Sequence, residues 1–198
     1  MSNLLILGAG QFGLMVKEIA KSTGEYSKID FLDDKNPLAI GKLDQFSSFV
    51  DMYDYAIVAI GNPTVRCSYL DKIRESFNIA IIISPSAYVS KNSKVCEGSI
   101  IEPMAVVQTG ANVGRGCIVS SGAVLRHNST VCDYCHIDCN SVVMSNSVVP
   151  MYTKVGVCST FKNDGKDTYN KKMELAIKVP SGGPEPIDGK TYSFDDIM

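Results

Sequence analysis

The chain has 198 residues, a formal net charge of −2 and 45% hydrophobic residues, which suits one large or two small globular domains. Its Lys and Arg residues are scattered and form no basic stripe, so the composition argues against nucleic acid as a partner. The first apolar run, residues 4–7, is too short for a membrane span or a signal peptide, and seven cysteines without a secretion signal indicate reduced thiols in the cytoplasm.

The first 82 residues alternate predicted strands and helices. The apolar runs predict strands over residues 4–7, 28–32, 55–60 and 79–83, and the periodic segments predict helices over residues 14–22 and 63–77. This alternation is typical of a small parallel α/β sheet. We therefore expect a Rossmann-like nucleotide- or sugar-binding domain over residues 1–82.

A glycine turn follows the first predicted strand. Gly8, Gly10 and Gly13 fit the pattern G-x-G-x-x-G, and Asp33-Asp34 follows the second strand about twenty residues later. A tight turn without a ligand would use the same glycines. NAD is disfavoured because the domain has only one mononucleotide-binding half. The favoured interpretation is a nucleotide-bearing ligand, with its phosphates at the helix N-terminus and its base or ribose at Asp33 or Asp34.

From Ile83 to Phe161 an aliphatic or aromatic residue stands at every sixth position. A small residue follows four positions later from Ala87 to Ser159, and Cys117 and Cys135 belong to this second row. Neither a helix nor a flat strand has this period, so the pattern predicts a parallel β-helix without excursion loops over residues 83–161. The pattern stops after Phe161, leaving a C-terminal tail, 162–198, in which residues 169–179 could form a short helix or strand.

A short Rossmann-like unit followed by hexapeptide repeats resembles the sugar acyltransferases of the sialic acid O-acetyltransferase (NeuD) and bacillosamine N-acetyltransferase (PglD) type. The resemblance covers about residues 3–161 and implies a left-handed β-helix. It also implies a homotrimer with acetyl-CoA along the β-helix between subunits, and a sugar or nucleotide sugar held by the N-terminal domain through Gly8, Gly10, Gly13, Asp33 and Asp34.

The resemblance also implies roles for the two histidines of the chain. In this family one histidine of a coil is the general base, and another nine residues later lines the same site; His127 and His136 have this spacing. Neutral imidazole can remove the proton of a sugar hydroxyl or amine near neutral pH. We thus expect His127 and Asn128 to be catalytic, with Asn128 standing where the family usually has Glu or Asp, and His136 to bind substrate.

Two patterns suggest metal or haem sites that we do not expect. Residues 132–136 spell C-x-x-C-H, and Cys139 lies nearby, but Cys135 already belongs to the inward small row. The β-helical carbonic anhydrases need three histidines for zinc, and this chain has two. No metal is therefore expected.

The sequence as a whole predicts a cytoplasmic, homotrimeric acetyl-CoA-dependent acetyltransferase. Its expected substrate is a hydroxyl or amine of a nucleotide-linked sugar destined for a bacterial surface glycan, with direct attack on the thioester. The alternative is a catalytically weakened β-helix protein that binds a nucleotide sugar or a protein partner.

Overall fold

The computed structural model describes residues 1–163. The predicted tail, 162–198, lies outside the described residues except for its first two positions, and so does its segment 169–179.

The N-terminal part is a four-stranded parallel sheet with helices beside it. Its strands have the order β2-β1-β3-β4. The elements in chain order are β1 (Ser2–Leu7), α1 (Gln11–Thr23), β2 (Tyr26–Leu32), a 3-10 helix (Leu43–Met52), β3 (Tyr55–Val58), α2 (Pro63–Ile73) and β4 (Asn78–Ile79). The apolar runs of β1 and β3 are buried on both faces, as is typical of parallel strands between covering layers.

Besides shifts of two residues at one end of β1, β2 and β3, three details of this part differ from the sequence predictions. Helix α1 begins three residues earlier than predicted, because the glycine turn itself opens the helix. Helix α2 ends at Ile73 rather than near residue 77. The predicted strand 79–83 is two strands: β4 pairs with β3, whereas β5 (Ile82–Ile83) already pairs inside the β-helix.

The β-helix is a triangular prism of two-residue strands, and every strand pairs in parallel with the strand one coil away. The Ile82 face contains β5 (Ile82–Ile83), β8 (Ile100–Ile101), β11 (Ile118–Val119), β14 (His136–Ile137) and β17 (Lys154–Val155). The Tyr88 face contains β6 (Tyr88–Val89), β9 (Val106–Val107), β12 (Val124–Leu125), β15 (Val142–Val143) and β18 (Thr160–Phe161). The Lys94 face contains β7 (Lys94–Val95), β10 (Asn112–Val113), β13 (Thr130–Val131) and β16 (Val148–Val149).

The two sequence rows form the axis of the prism, so the predicted β-helix is confirmed. The inward residues make one buried cluster in which aliphatic side chains of the strands alternate with small ones, including Cys117 and Cys135. The strands follow one another every six residues with no helix between β5 and β18, which confirms the absence of excursion loops.

Arg66 of α2 joins the sheet to the prism. Its guanidinium is fully buried and donates hydrogen bonds to the carbonyl oxygens of Ile60 and Gly61 after β3, and to those of Gly116 and Tyr134 in the prism. Burial lowers the pKa of the Arg66 guanidinium, which nonetheless stays charged at any physiological pH. Four carbonyl dipoles therefore solvate this cation in place of water.

Candidate functional site

Two of the three turn glycines are required by the fold itself. Gly8 has a φ of 107°, and a Cβ there would lie 2.7 Å from the carbonyl oxygen of Ala59. A Cβ on Gly13 would overlap the carbonyl oxygen of Gly8. Gly10 is different, because it has an ordinary φ of −67° and its Cβ would meet no described atom within 4 Å beyond its chain neighbours. The free space at Gly10 is room for a ligand to approach the backbone.

Helix α1 presents the ordinary features of an anion site at its N-terminus. Within residues 1–163 no side chain caps this helix, and its first turn contains no acidic residue. The first backbone N–H groups and the helix dipole therefore face the space above Gly10. Such a helix N-terminus can receive phosphate.

The two aspartates that follow β2 have different surroundings. Asp33 accepts hydrogen bonds from the backbone N–H groups of Ala9, Lys35 and Asn36, and the bond from Ala9 is the main cause of its lowered pKa. Its carboxylate thus holds the glycine turn in place. Asp34 is exposed and accepts one hydrogen bond, from the N–H of Leu43, so it is the more available of the pair for a ligand hydroxyl.

His127 lies at the corner between the Tyr88 and Lys94 faces, after β12. Its ring is exposed and its Nε2 lies 2.9 Å from the Oγ of Ser145, which stands at the same corner one coil later. Its backbone N–H donates to the Oε1 of Gln108 at 3.0 Å. The hydroxyl and the backbone bond orient the imidazole while leaving it open to a substrate.

Asn128 serves the backbone of the same corner. It has a φ of 55°, in the left-handed region that glycine and asparagine adopt most readily. Gly110, one coil earlier, and Asn146, one coil later, also have a positive φ. The Asn128 amide oxygen lies over Gly110, where a Cβ would overlap it, and the ring of His127 is bonded to Ser145 instead.

His136 lies on the Ile82 face, at the start of β14. Its Nε2 is 3.0 Å from the Oγ of Ser120 and 3.9 Å from an oxygen of Asp138. Burial lowers the pKa of His136 despite the neighbouring Asp138 carboxylate, so its ring is neutral near pH 7. Ser120 in turn donates to Glu102, which is 5% exposed.

A single chain keeps the two histidines apart. His127 is at a corner opposite the Ile82 face, on which His136 lies, and their hydrogen-bond partners differ. Arg66 connects Gly61, at the carboxyl end of β3, to Tyr134, two residues before His136.

The C-x-x-C-H segment is divided between inside and outside the prism. Cys135 is buried in the axis, whereas His136 points outward from the strand. Residues 1–163 contain no group of three or more His, Cys, Asp or Glu side chains that could hold a metal ion. All seven cysteines are free thiols.

Comparisons with known proteins agree with this architecture. Residues 3–73 match the model of the PglD N-terminal domain family. The acetyltransferase domain of PglB from Neisseria gonorrhoeae FA1090, solved in complex with acetyl coenzyme A, is similar in structure at 27% identity, with a TM-score of 0.79 over 82% of this chain and 83% of that one. The chain is therefore similar to sugar acetyltransferases of the PglD type, in its N-terminal part by sequence and over most of its length by structure.

Two more distant structures share the fold of this chain. One is a histidine-to-asparagine mutant of perosamine N-acetyltransferase from Caulobacter crescentus, in complex with CoA and GDP-perosamine, with 20% identity and a TM-score of 0.64 over 83% of this chain and 90% of that one. The other is WeeI from Acinetobacter baumannii AYE, with 16% identity and a TM-score of 0.62 over 81% of this chain and 88% of that one. No sequence among the curated proteins matches.

The predicted acyltransferase class and the predicted fold are confirmed. Neither of the two α-helices in residues 1–163 has the length and apolarity needed to cross a membrane. Sequence reasoning missed Ser145, Ser120 and Glu102 around the histidines. One coil takes 18 residues, so a search for polar residues at that spacing from each histidine could have found Ser145.

Proposed function

We propose that this protein transfers an acetyl group from acetyl-CoA to a hydroxyl or amine of a nucleotide-linked sugar, with His127 as the general base. The observation that carries the proposal is the exposed His127 ring, held by Ser145 on a rigid coil corner. A rigid position suits a base that must meet its proton in one geometry.

The reaction needs one proton to leave the nucleophile. The oxygen or nitrogen of the sugar attacks the thioester carbonyl carbon while His127 accepts its proton, and a tetrahedral oxyanion forms. A backbone N–H of a coil can stabilise that oxyanion. Collapse of the intermediate breaks the C–S bond, and the CoA thiolate takes up the proton that the imidazolium returns.

The N-terminal part supplies the nucleotide site in this proposal. The uncapped N-terminus of α1 and the space above Gly10 suit the phosphates, and Asp34 has a carboxylate oxygen for a ribose or base. Asp33 contributes by fixing the glycine turn, and Gly8 and Gly13 allow its close packing.

We also propose that the active protein is a homotrimer with its site between subunits. Four of the five outward positions of the Tyr88 face are apolar, namely Tyr88, Val106, Val124 and Val142. Burying this row against a second copy would stabilise both, and the His127 corner adjoins the same face. A site that contains both His127 and His136 then takes them from two subunits.

The free thiols and the need for acetyl-CoA favour the cytoplasm, with a bacterial surface glycan as destination of the sugar.

The test is acetyl transfer to a panel of UDP- and GDP-linked sugars with free amines or hydroxyls. Acetylated product should be followed by mass spectrometry, because the accessible free thiols of the chain, such as Cys96 and Cys158, would react with a thiol reagent. His127→Ala should fold normally and lower kcat by about 10²–10⁴. Lys91→Ala is the matched control, since Lys91 is exposed at the same corner two coils earlier.

Full activity of His127→Ala with the accepted sugar would refute the assignment of the base. Binding of nucleotide sugars with no acetyl transfer to any of them would favour the alternative, a catalytically weakened binding protein.

A further inference from the structure

A chain of hydrogen bonds on the Ile82 face leads from a buried carboxylate to His136. Glu102 follows β8, Ser120 follows β11, and His136 begins β14, so the three residues lie on successive coils. Ser120 Oγ is 3.2 Å from Glu102 Oε1 and 3.0 Å from His136 Nε2. Ser120 is 3% exposed, which keeps water from competing for its hydroxyl.

The donors around Glu102 decide the direction of these bonds. Its other oxygen, Oε2, accepts from the backbone N–H and from the hydroxyl of Ser121, at 2.9 and 3.1 Å. These two donors mark the Glu102 carboxyl group as an acceptor, and an ionised carboxylate has no proton to give to Ser120. The single hydroxyl proton of Ser120 therefore points to Glu102. Its oxygen is left as an acceptor for His136.

The other groups around His136 agree with a proton on Nε2. Asp138 is 3.9 Å from Nε2, but it bonds more closely to Lys154 at 2.9 Å and to the N–H of Cys139 at 2.8 Å. Burial, with help from the charges of Lys154 and Arg66, disfavours a charged imidazole and outweighs the opposite effect of Asp138, so the pKa of His136 is lowered. A neutral ring with its one proton on Nε2 donates a hydrogen bond to the Oγ of Ser120, and the same N–H faces the carboxylate of Asp138.

We propose that Glu102 and Ser120 are positioning residues that fix His136 as the Nε2–H tautomer, with Nδ1 as its only hydrogen-bond acceptor. This rests on the proposed function in one respect: Nδ1 would receive an N–H group of the acyl donor, such as a pantetheine amide. His136 thus binds by accepting a hydrogen bond, whereas His127 accepts a proton during the reaction.

The tautomer can be measured without any substrate. In protein labelled with ¹⁵N-histidine, two-bond ¹H–¹⁵N correlations distinguish Nε2–H from Nδ1–H, and a His127→Gln variant assigns the signals because the chain has two histidines. Wild-type His136 should be in the Nε2–H form at about pH 7.5. Ser120→Ala should give a mixture of tautomers. Ser121→Ala is the matched control, since Ser121 bonds to Glu102 but not to His136, and it should leave the signal unchanged.

Glu102→Gln provides a second variant should Ser120→Ala fail to fold. An amide N–H at this position can donate to Ser120 and turn its hydroxyl toward His136, which should lower the Nε2–H fraction. An Nδ1–H ring or an imidazolium in the wild type, or an unchanged tautomer in both variants, would overturn the proposal.

Activity separates this inference from the proposed function. Ser120→Ala should raise KM for acetyl-CoA by about threefold to tenfold, the usual effect of one lost hydrogen bond, with little change in kcat. The expected tautomer in a protein that acetylates no sugar would refute the proposed function and leave the inference standing. Acetyl transfer with the opposite tautomer would do the reverse.

Discussion

Replacing Arg66 with methionine should destabilise the protein more than any exposed substitution in α2. Methionine keeps most of the apolar stem but removes four hydrogen bonds to the carbonyl oxygens of Ile60, Gly61, Gly116 and Tyr134. Each buried acceptor left without a donor costs about 1–3 kcal/mol. Part of this loss is offset because the guanidinium no longer has to be desolvated, so we expect a net loss of about 3–5 kcal/mol.

Arg74 is the matched control for this substitution. It directly follows α2 and also reaches the prism, through an ion pair with Glu97 at 3.7 Å, but its side chain is 45% exposed. Exposed ion pairs contribute about 0–1 kcal/mol, so Arg74→Met should have little effect. Both variants remove one positive charge, so the difference between their free energies of unfolding reports the effect of burial.

The stability of both variants is measured by urea and thermal denaturation at one fixed protein concentration. A chain of this size loses roughly 2–4 °C of Tm for each kcal/mol, so Arg66→Met should melt roughly 6–20 °C below the wild type. Should Arg66→Met and Arg74→Met melt within a few degrees of each other, the hydrogen bonds from Arg66 to the four carbonyl oxygens would not be what holds the sheet against the prism.

Further substitutions test the glycine turn, the coil corner and His136. Gly13→Ala should prevent stable folding because its Cβ overlaps the Gly8 carbonyl, whereas Gly10→Ala should melt like the wild type yet weaken nucleotide-sugar binding at least about tenfold in calorimetry. Asn128→Ala should cost about 1–2 kcal/mol in thermal unfolding, and Asn128→Gly much less, because of the positive φ. Burial lowers the pKa of His136, so the unfolded chain binds more protons than the folded one in the ordinary histidine range. The free energy of unfolding should therefore fall as the pH is lowered from about 7 to about 5. His136→Gln should flatten this pH dependence in urea titrations.

The prism was predictable because its constraints are local and repeated. Each inward position, such as Val119 or Cys117, meets the same requirement of size one coil earlier and one coil later. A single hexad would mean little, but an uninterrupted series leaves no other regular structure with that period.

The joint between the two parts was not predictable in the same way. The bonds of Arg66 end on backbone carbonyl oxygens, which every residue has, so no sequence pattern marks its partners. The prediction of a single strand over residues 79–83 was also wrong at this joint. Its apolar run is continuous, yet Ile79 completes the sheet and Ile82 begins the prism.

Asn128 illustrates how a backbone requirement can be mistaken for altered chemistry. From the sequence it stands where the family usually has an acidic residue, which favours weakened catalysis. In the structure its corner needs a left-handed residue, and asparagine meets that need with an amide that covers Gly110. The ring of His127 has its hydrogen bond from the next coil, at Ser145. Asn128 therefore does not by itself argue against a functional base, and the orientation of His127 depends on a residue that sequence adjacency could not indicate.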